Sequence, residues 1–265
     1  MRNYQAVRAG TRSDSVFFAP ELNQLLSCSK EWFQRTASEY RACSAAWGRL
    51  SSYRSASRET DGYAKSLDVA EGFAAWALIK QVRPRVVVEL GSQYGISARL
   101  WKEALNRYVP GHTLILCDQE DQRRYIGPRE AIFVEGDALR TLPGIFASYS
   151  VDLLFNDAHP YTLIRWSVEE AMRREVRVLA FHDVGRHHPR GPFIADSARL
   201  TEAQKIRESH NYGECGTWER HVAAELLDKS LLSQDSAETT QYRMQVFDSL
   251  FGFLVAIRID RSGSK

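Results

Sequence analysis

Residues 85–95 read RVVVELGSQYG. Three consecutive valines suit a strand buried on both faces. The run ends in an acid, Glu89, and then in Gly91 and Gly95, which permit a tight turn and a close backbone approach to a bound group. A turn leaving the first strand of a doubly wound sheet opens at the crevice where such sheets bind ligands.

Working outward, the pattern alternates. Upstream, Ala70, Phe73, Ala74, Ala77 and Leu78 share one helical face, with Ser66 as N-cap, Asp68 in the first turn and Pro84 closing the segment. Downstream, strands are predicted over 113–117, 131–135, 151–156 and 176–181, with helices over 96–108 and 162–174. A final pair, 242–247 and 252–259, reads as a hairpin. Strands separated by helices argue for a parallel sheet with right-handed crossovers. The expected fold is therefore α/β: a Rossmann-like, doubly wound, seven-stranded sheet, mostly parallel, ending in an antiparallel hairpin. Residues 1–66, rich in Ser, Arg, Ala and aromatics, read as a helical extension that packs on the core, caps the site or forms a homodimer interface. Residues 67–265 then form the main domain, with an insertion or lid around 186–240.

Composition narrows the class. A chain of 265 residues, 44% hydrophobic and 26% charged, can bury a core without disulfides. A net charge of +2, spread without a lysine block, argues against nucleic acid, and no apolar run approaches the roughly 18 residues of a membrane span. Cys28, Cys43, Cys117 and Cys215 form no C-x-x-C pair, and the first residues carry no apolar targeting stretch, so a cytoplasmic protein is expected.

The turn is not a dinucleotide fingerprint. It offers Glu89, Gly91, Ser92 and Gly95 but no third glycine. A carboxylate there repels a diphosphate and suits an ammonium; the amino-acid end of S-adenosylmethionine (SAM) is such a partner, and its sulfonium adds positive charge. The second strand ends in Asp118, placed to accept hydrogen bonds from ribose hydroxyls, and the third leads into Gly136-Asp137-Ala138, placed near an adenine edge. Together, in this order, residues 66–185 resemble a class I SAM-dependent methyltransferase. The stretches VDLLFNDAHPY (151–161) and VRVLAFHDVG (176–185) resemble the metal-dependent small-molecule O-methyltransferases of cephalosporin and macrolide-sugar pathways. The D-G-x-H-x-Y of that branch stands here as Asp157-Ala158-His159-Pro160-Tyr161, one residue shorter and with alanine for glycine.

That resemblance implies a chemistry. Asp157 and Asp183 follow successive apolar strands and should project from one sheet edge, two hard ligands for a Mg²⁺-like ion. His182 stands where several relatives carry an acid; imidazole suits zinc, iron or nickel better. Alternatively, His182 points into the sheet and Asp183 alone faces the site. His159 is the candidate general base, against a loop histidine satisfied by backbone, and Asn156 is a candidate cofactor contact. His187 and His188 read as solvated, and Phe193, Tyr212 and Trp218 as local core of the insertion. The expected reaction is O-methylation of a small-molecule, natural-product-like hydroxyl. The competing readings are a metal-independent N-methyltransferase, a nicotinamide oxidoreductase and a non-catalytic SAM-fold binding protein.

Overall fold

The valine run forms strand β1, Val86–Leu90, at the middle of the sheet. The structure is a computed structural model that describes residues 19–47, 67, 69–185, 201, 204, 218–248 and 251–259. Ser66, Asp68, His187, His188, Phe193 and Tyr212 lie outside the described residues.

Parallel to β1 run β2 (Thr113–Asp118), β3 (Ile132–Glu135), β4 (Leu153–Asn156) and β5 (Val178–Phe181). The hairpin strands β7 (Tyr242–Phe247) and β8 (Phe253–Arg258) follow, with β8 antiparallel to β5. Seven strands were expected; an eighth, β6 (Ser236–Glu238), pairs with β7 at the edge, giving the order β3-β2-β1-β4-β5-β8-β7-β6. Its three residues are short and none is buried, so no apolar alternation announces it.

Both sheet faces are covered, which is why the strands read as near-continuous apolar runs. On one face, Val87, Leu114, Leu153 and Phe155 pack under α3 (Val69–Val82) and α4 (Ile96–Tyr108). On the other, Val88, Ile115, Leu154 and Leu179 pack under α5 (Ala138–Ser148) and α6 (Tyr161–Arg173). The N-terminal helices α1 (Ala19–Leu26) and α2 (Lys30–Trp47) extend the first layer. A polar knot fastens α2: Lys80 Nζ lies 2.6 Å from Glu39, and Tyr108 donates to the same carboxylate at 2.5 Å. Burial and that bond push the Tyr108 phenol up to about 12, so it stays a donor.

Sheet order decides where the site lies. The chain winds outward from β1 to β3, then returns to β4 on β1's other side. The C-terminal ends of β1 and β4 thus flank the switch point, with Leu90 and Asn156 paired in register. The segment after β5 closes against α7 (Glu219–Leu226). There Arg220, with no exposed surface, donates to the carbonyls of Val184 (3.2 Å), Leu231 (2.6 Å) and Gln234 (3.0 Å), and to Asp235 (3.0 Å).

Candidate active site

Gly91 has φ +83°, and a Cβ there would come within 2.5 Å of the Asp157 carbonyl oxygen. Glycine is therefore needed for two reasons, the left-handed backbone and the contact between the turns after β1 and β4. Gly95, at φ +79°, caps α4, and its own Cβ would meet Ile126 at 2.8 Å.

Around this turn, three buried polar groups lack a partner among the described residues. Glu89 is fully buried and accepts from the Ser97 hydroxyl through one oxygen, while Oε2 has no hydrogen bond. Ser92 Oγ and Asn156 Nδ2 are also buried without partners; Asn156 uses only Oδ1, which accepts from Ser167 at 3.1 Å. Burial raises the Glu89 carboxyl well above its ordinary range, only partly offset by the Ser97 bond. A buried group left unpaired costs about 1–3 kcal/mol. Glu89 lies on the sheet face of Phe155 and Asn156 on that of Leu90, so these groups flank the C-terminal ends of β1 and β4, where a ligand would satisfy them. Their chemistry fits the amino-acid end of SAM: a carboxylate for an ammonium, a hydroxyl and an amide for a carboxylate.

Asp118 ends β2 with each oxygen taking one backbone donor, Gln93 N–H and Gln119 N–H, both at 2.7 Å. These bonds fix the carboxylate beside the glycine turn. Tyr94 lies against the Arg124 guanidinium, 4.6 Å from its ring centroid, and so packs. Gly136 (φ +126°) turns the chain after β3, and the Asp137 side chain caps α5 by accepting from Leu139 N–H at 3.0 Å, with Ala138 opening the helix.

The second cluster stands at the ends of β4 and β5. His182, 2% exposed, has Nδ1 3.0 Å from Asp157 Oδ1 and 3.4 Å from Asp183 Oδ1. Its Nε2 lies 3.3 Å from Glu71 Oε2, on α3. Asp157, His182 and Asp183 can each present a ligand atom, all within 4.8 Å of one another, so this donor set fits a metal ion. Burial disfavours a charged imidazole, yet the Asp157 and Asp183 charges and the bonds to Asp157 and Glu71 prevail, raising His182 well above its ordinary value. The two alternatives for His182 were facing the carboxylates and pointing inward. The ring does both, one nitrogen each way.

His159 sits beside this cluster, its Nδ1 2.9 Å from Glu219 Oε1 and 3.6 Å from Asp183 Oδ2. Burial lowers its pKa, but the Glu219 bond and the surrounding acids raise it to about 8. Glu219 is itself fully buried, and burial raises its carboxyl despite that bond. Trp218 is buried, edge-on to Tyr161 at 5.4 Å.

Sequence reasoning did not single out Glu71, Glu219 or Arg220. Only Glu71 carried a signal: it lies on the same helical stripe as buried Ala74, Ala75 and Leu78, where an acid is out of place. Glu219 joins His159 across 60 residues, a juxtaposition no local pattern encodes.

No protein-family model and no curated protein matches the sequence. Solved structures do. TomG of Streptomyces achromogenes, an O-methyltransferase involved in tomaymycin synthesis and solved with SAM, is 17% identical over 80% of this chain and 89% of its own, with a TM-score of 0.52. An O-methyltransferase of Bacillus cereus solved with SAH (S-adenosylhomocysteine) is 13% identical over 92% of this chain and 98% of its own, at 0.50. The Podospora anserina methyltransferase PaMTH1, also with SAH, is 15% identical over 74% and 80%, at 0.50. The chain has the Rossmann-like fold of these methyltransferases.

Proposed function

We propose that the protein is a SAM-dependent methyltransferase that methylates a hydroxyl of a small molecule, assisted by a divalent ion. The observation that carries this is the trio of unpartnered buried groups, Glu89 Oε2, Ser92 Oγ and Asn156 Nδ2, at the switch point. The likeness in fold to enzymes solved with SAM or SAH adds support. No helix among the described residues is long and apolar enough to cross a membrane.

When bound, SAM supplies an electrophilic methyl group and the ion a positive charge that acidifies the acceptor hydroxyl. Glu89 holds the ammonium, while Ser92 and Asn156 donate to the carboxylate. Asp118, fixed by its two backbone donors, accepts from the ribose hydroxyls. Gly91 and Gly95 keep the turn clear of side chains, and Gly136, Asp137 and Ala138 border the adenine. Asp157, Asp183 and His182 hold the ion. Glu219 accepts the Nδ1 hydrogen of His159, which selects the tautomer whose Nε2 is basic and suited to take the hydroxyl proton. Fold alone would not assign these roles. Residues 1–66 are assigned to a cap or a homodimer contact.

Calorimetry with SAM, with and without divalent ion, tests the function. Saturable SAM binding without the ion, and SAH formation from a hydroxyl acceptor only with it, are expected. NAD(H) binding in place of SAM would overturn the proposal; metal-independent turnover would remove only the ion's role.

A further inference from the structure

We infer that the Asp157–His182–Asp183 centre is built for a borderline transition-metal ion of the manganese-to-zinc series rather than for magnesium, with Glu71 as the positioning residue. This rests on the methyl-transfer reading and names the ion that reading leaves general.

The imidazole is held by more than sequence adjacency. Glu71 is fully buried, and its two oxygens are divided: Oε1 accepts Gly252 N–H at 2.8 Å, and Oε2 faces His182 Nε2 at 3.3 Å. The carboxylate is thereby anchored to the turn before β8 and cannot follow the ring if the ring rotates. Phe251 and Phe155 flank that ring, with centroids 5.6 and 6.5 Å away. Nδ1 is left facing the two carboxylates, hydrogen-bonded to Asp157 at 3.0 Å and 3.4 Å from Asp183.

That aim matters because of spacing and donor type. Around an ion with bonds of about 2.1 Å, neighbouring ligand atoms stand roughly 3.0–3.4 Å apart. The Nδ1 separations of 3.0 and 3.4 Å from the two carboxylates match those edges. Magnesium demands oxygen ligands and gives up water reluctantly. One imidazole with two carboxylates is instead a set for manganese, iron, cobalt, nickel or zinc. A ligating histidine usually gives its second nitrogen to a carboxylate, which orients the ring and makes it a better ligand. Glu71 occupies that position.

The test uses the full chain, stripped of metal and titrated separately with Mg²⁺, Mn²⁺ and Zn²⁺ by calorimetry. Mn²⁺ and Zn²⁺ should bind at least about 100-fold more tightly than Mg²⁺. Glu71→Gln should lower Zn²⁺ affinity by roughly 10–100-fold and leave Mg²⁺ nearly unchanged. His182→Asp, an all-oxygen set, should move the preference toward Mg²⁺. With Mn²⁺ bound, electron spin-echo spectra should show modulation from a directly coordinated ring nitrogen, absent in His182→Asp. Equal or tighter Mg²⁺ binding by the wild-type chain overturns the inference, as does no ion binding beyond that of Asp157→Ala; neither result depends on His182 or Glu71 variants folding. A parallel SAM titration separates the two claims: loss of SAM binding strikes the methyltransferase reading, while SAM binding with a magnesium preference strikes only the ion.

Discussion

The seat at the end of β1 and the centre at the ends of β4 and β5 lie side by side, yet they satisfy their polar groups in opposite ways. Glu89, Ser92 and Asn156 each keep a buried atom unpartnered. Glu71, Asp157, His182 and Asp183 close a network in which every ring nitrogen faces an oxygen. The first region leaves polar atoms open for a ligand; the second is closed by its own ion pairs, with the imidazole set between carboxylates. The lesson is thermodynamic. An orphaned group lowers the stability of the free protein and returns that energy on binding, whereas a paired cluster stabilises the free protein and must exchange a proton for a metal.

The sharpest way to break the contrast is His182→Ala. Removing the ring strands buried carboxylates, and a loss of about 3–5 kcal/mol is expected from denaturant unfolding. A loss near zero would mean that the cluster is not the self-satisfied half.

Glu89→Gln should do the reverse. SAM affinity should fall by roughly 10–100-fold, the worth of a charged hydrogen bond, while stability of the free protein holds or rises. The sign follows from the raised carboxyl. Its contribution to stability is fully present below the unfolded value of about 4.3 and is lost as pH climbs through the folded one. The glutamine variant should therefore flatten that decline. Wild-type SAM binding on the acid side, compared across buffers of differing ionisation enthalpy, should release protons that the variant does not release.

A smaller effect separates His159's orientation from its presence. Glu219→Gln keeps an acceptor for Nδ1 but removes the charge, so kcat should drop by about 10-fold with KM for SAM unchanged. An unchanged kcat would strip Glu219 of any role in orienting the base. Smallest is Ser92→Ala, with about 1 kcal/mol lost in SAM binding and a melting temperature equal to or above wild type.

The same contrast explains what could be read in the sequence. Strands β1 to β5 and the final hairpin were legible because burial on both faces leaves uninterrupted apolar runs. The glycine turn was legible because φ +83° beside another backbone admits only glycine. By contrast, α5 carries Pro143 and Gly144 in its interior, two residues that weaken a helical pattern, and no helix was expected there. β6 is three residues without a buried side chain, and a strand held only by edge pairing leaves no pattern. Of the site, every residue at a strand end could be anticipated from position. Glu71 offered only the oddity of an acid on an apolar stripe and Glu219 offered nothing, because the meaning of each lies in which histidine it meets.

Arg220 carries one more implication. Its guanidinium ties Val184, just past β5, to the start of α7 and to the chain leading into β6. The described positions on either side of residues 186–217 are therefore fastened to each other, and lengthening a loop between fixed ends adds only about 0.6 kcal/mol per doubling. If the proposed function holds, exchanging the residues between these fastened positions should change which acceptors are methylated while the sheet, Glu89 and the Asp157–His182–Asp183 cluster stay in place.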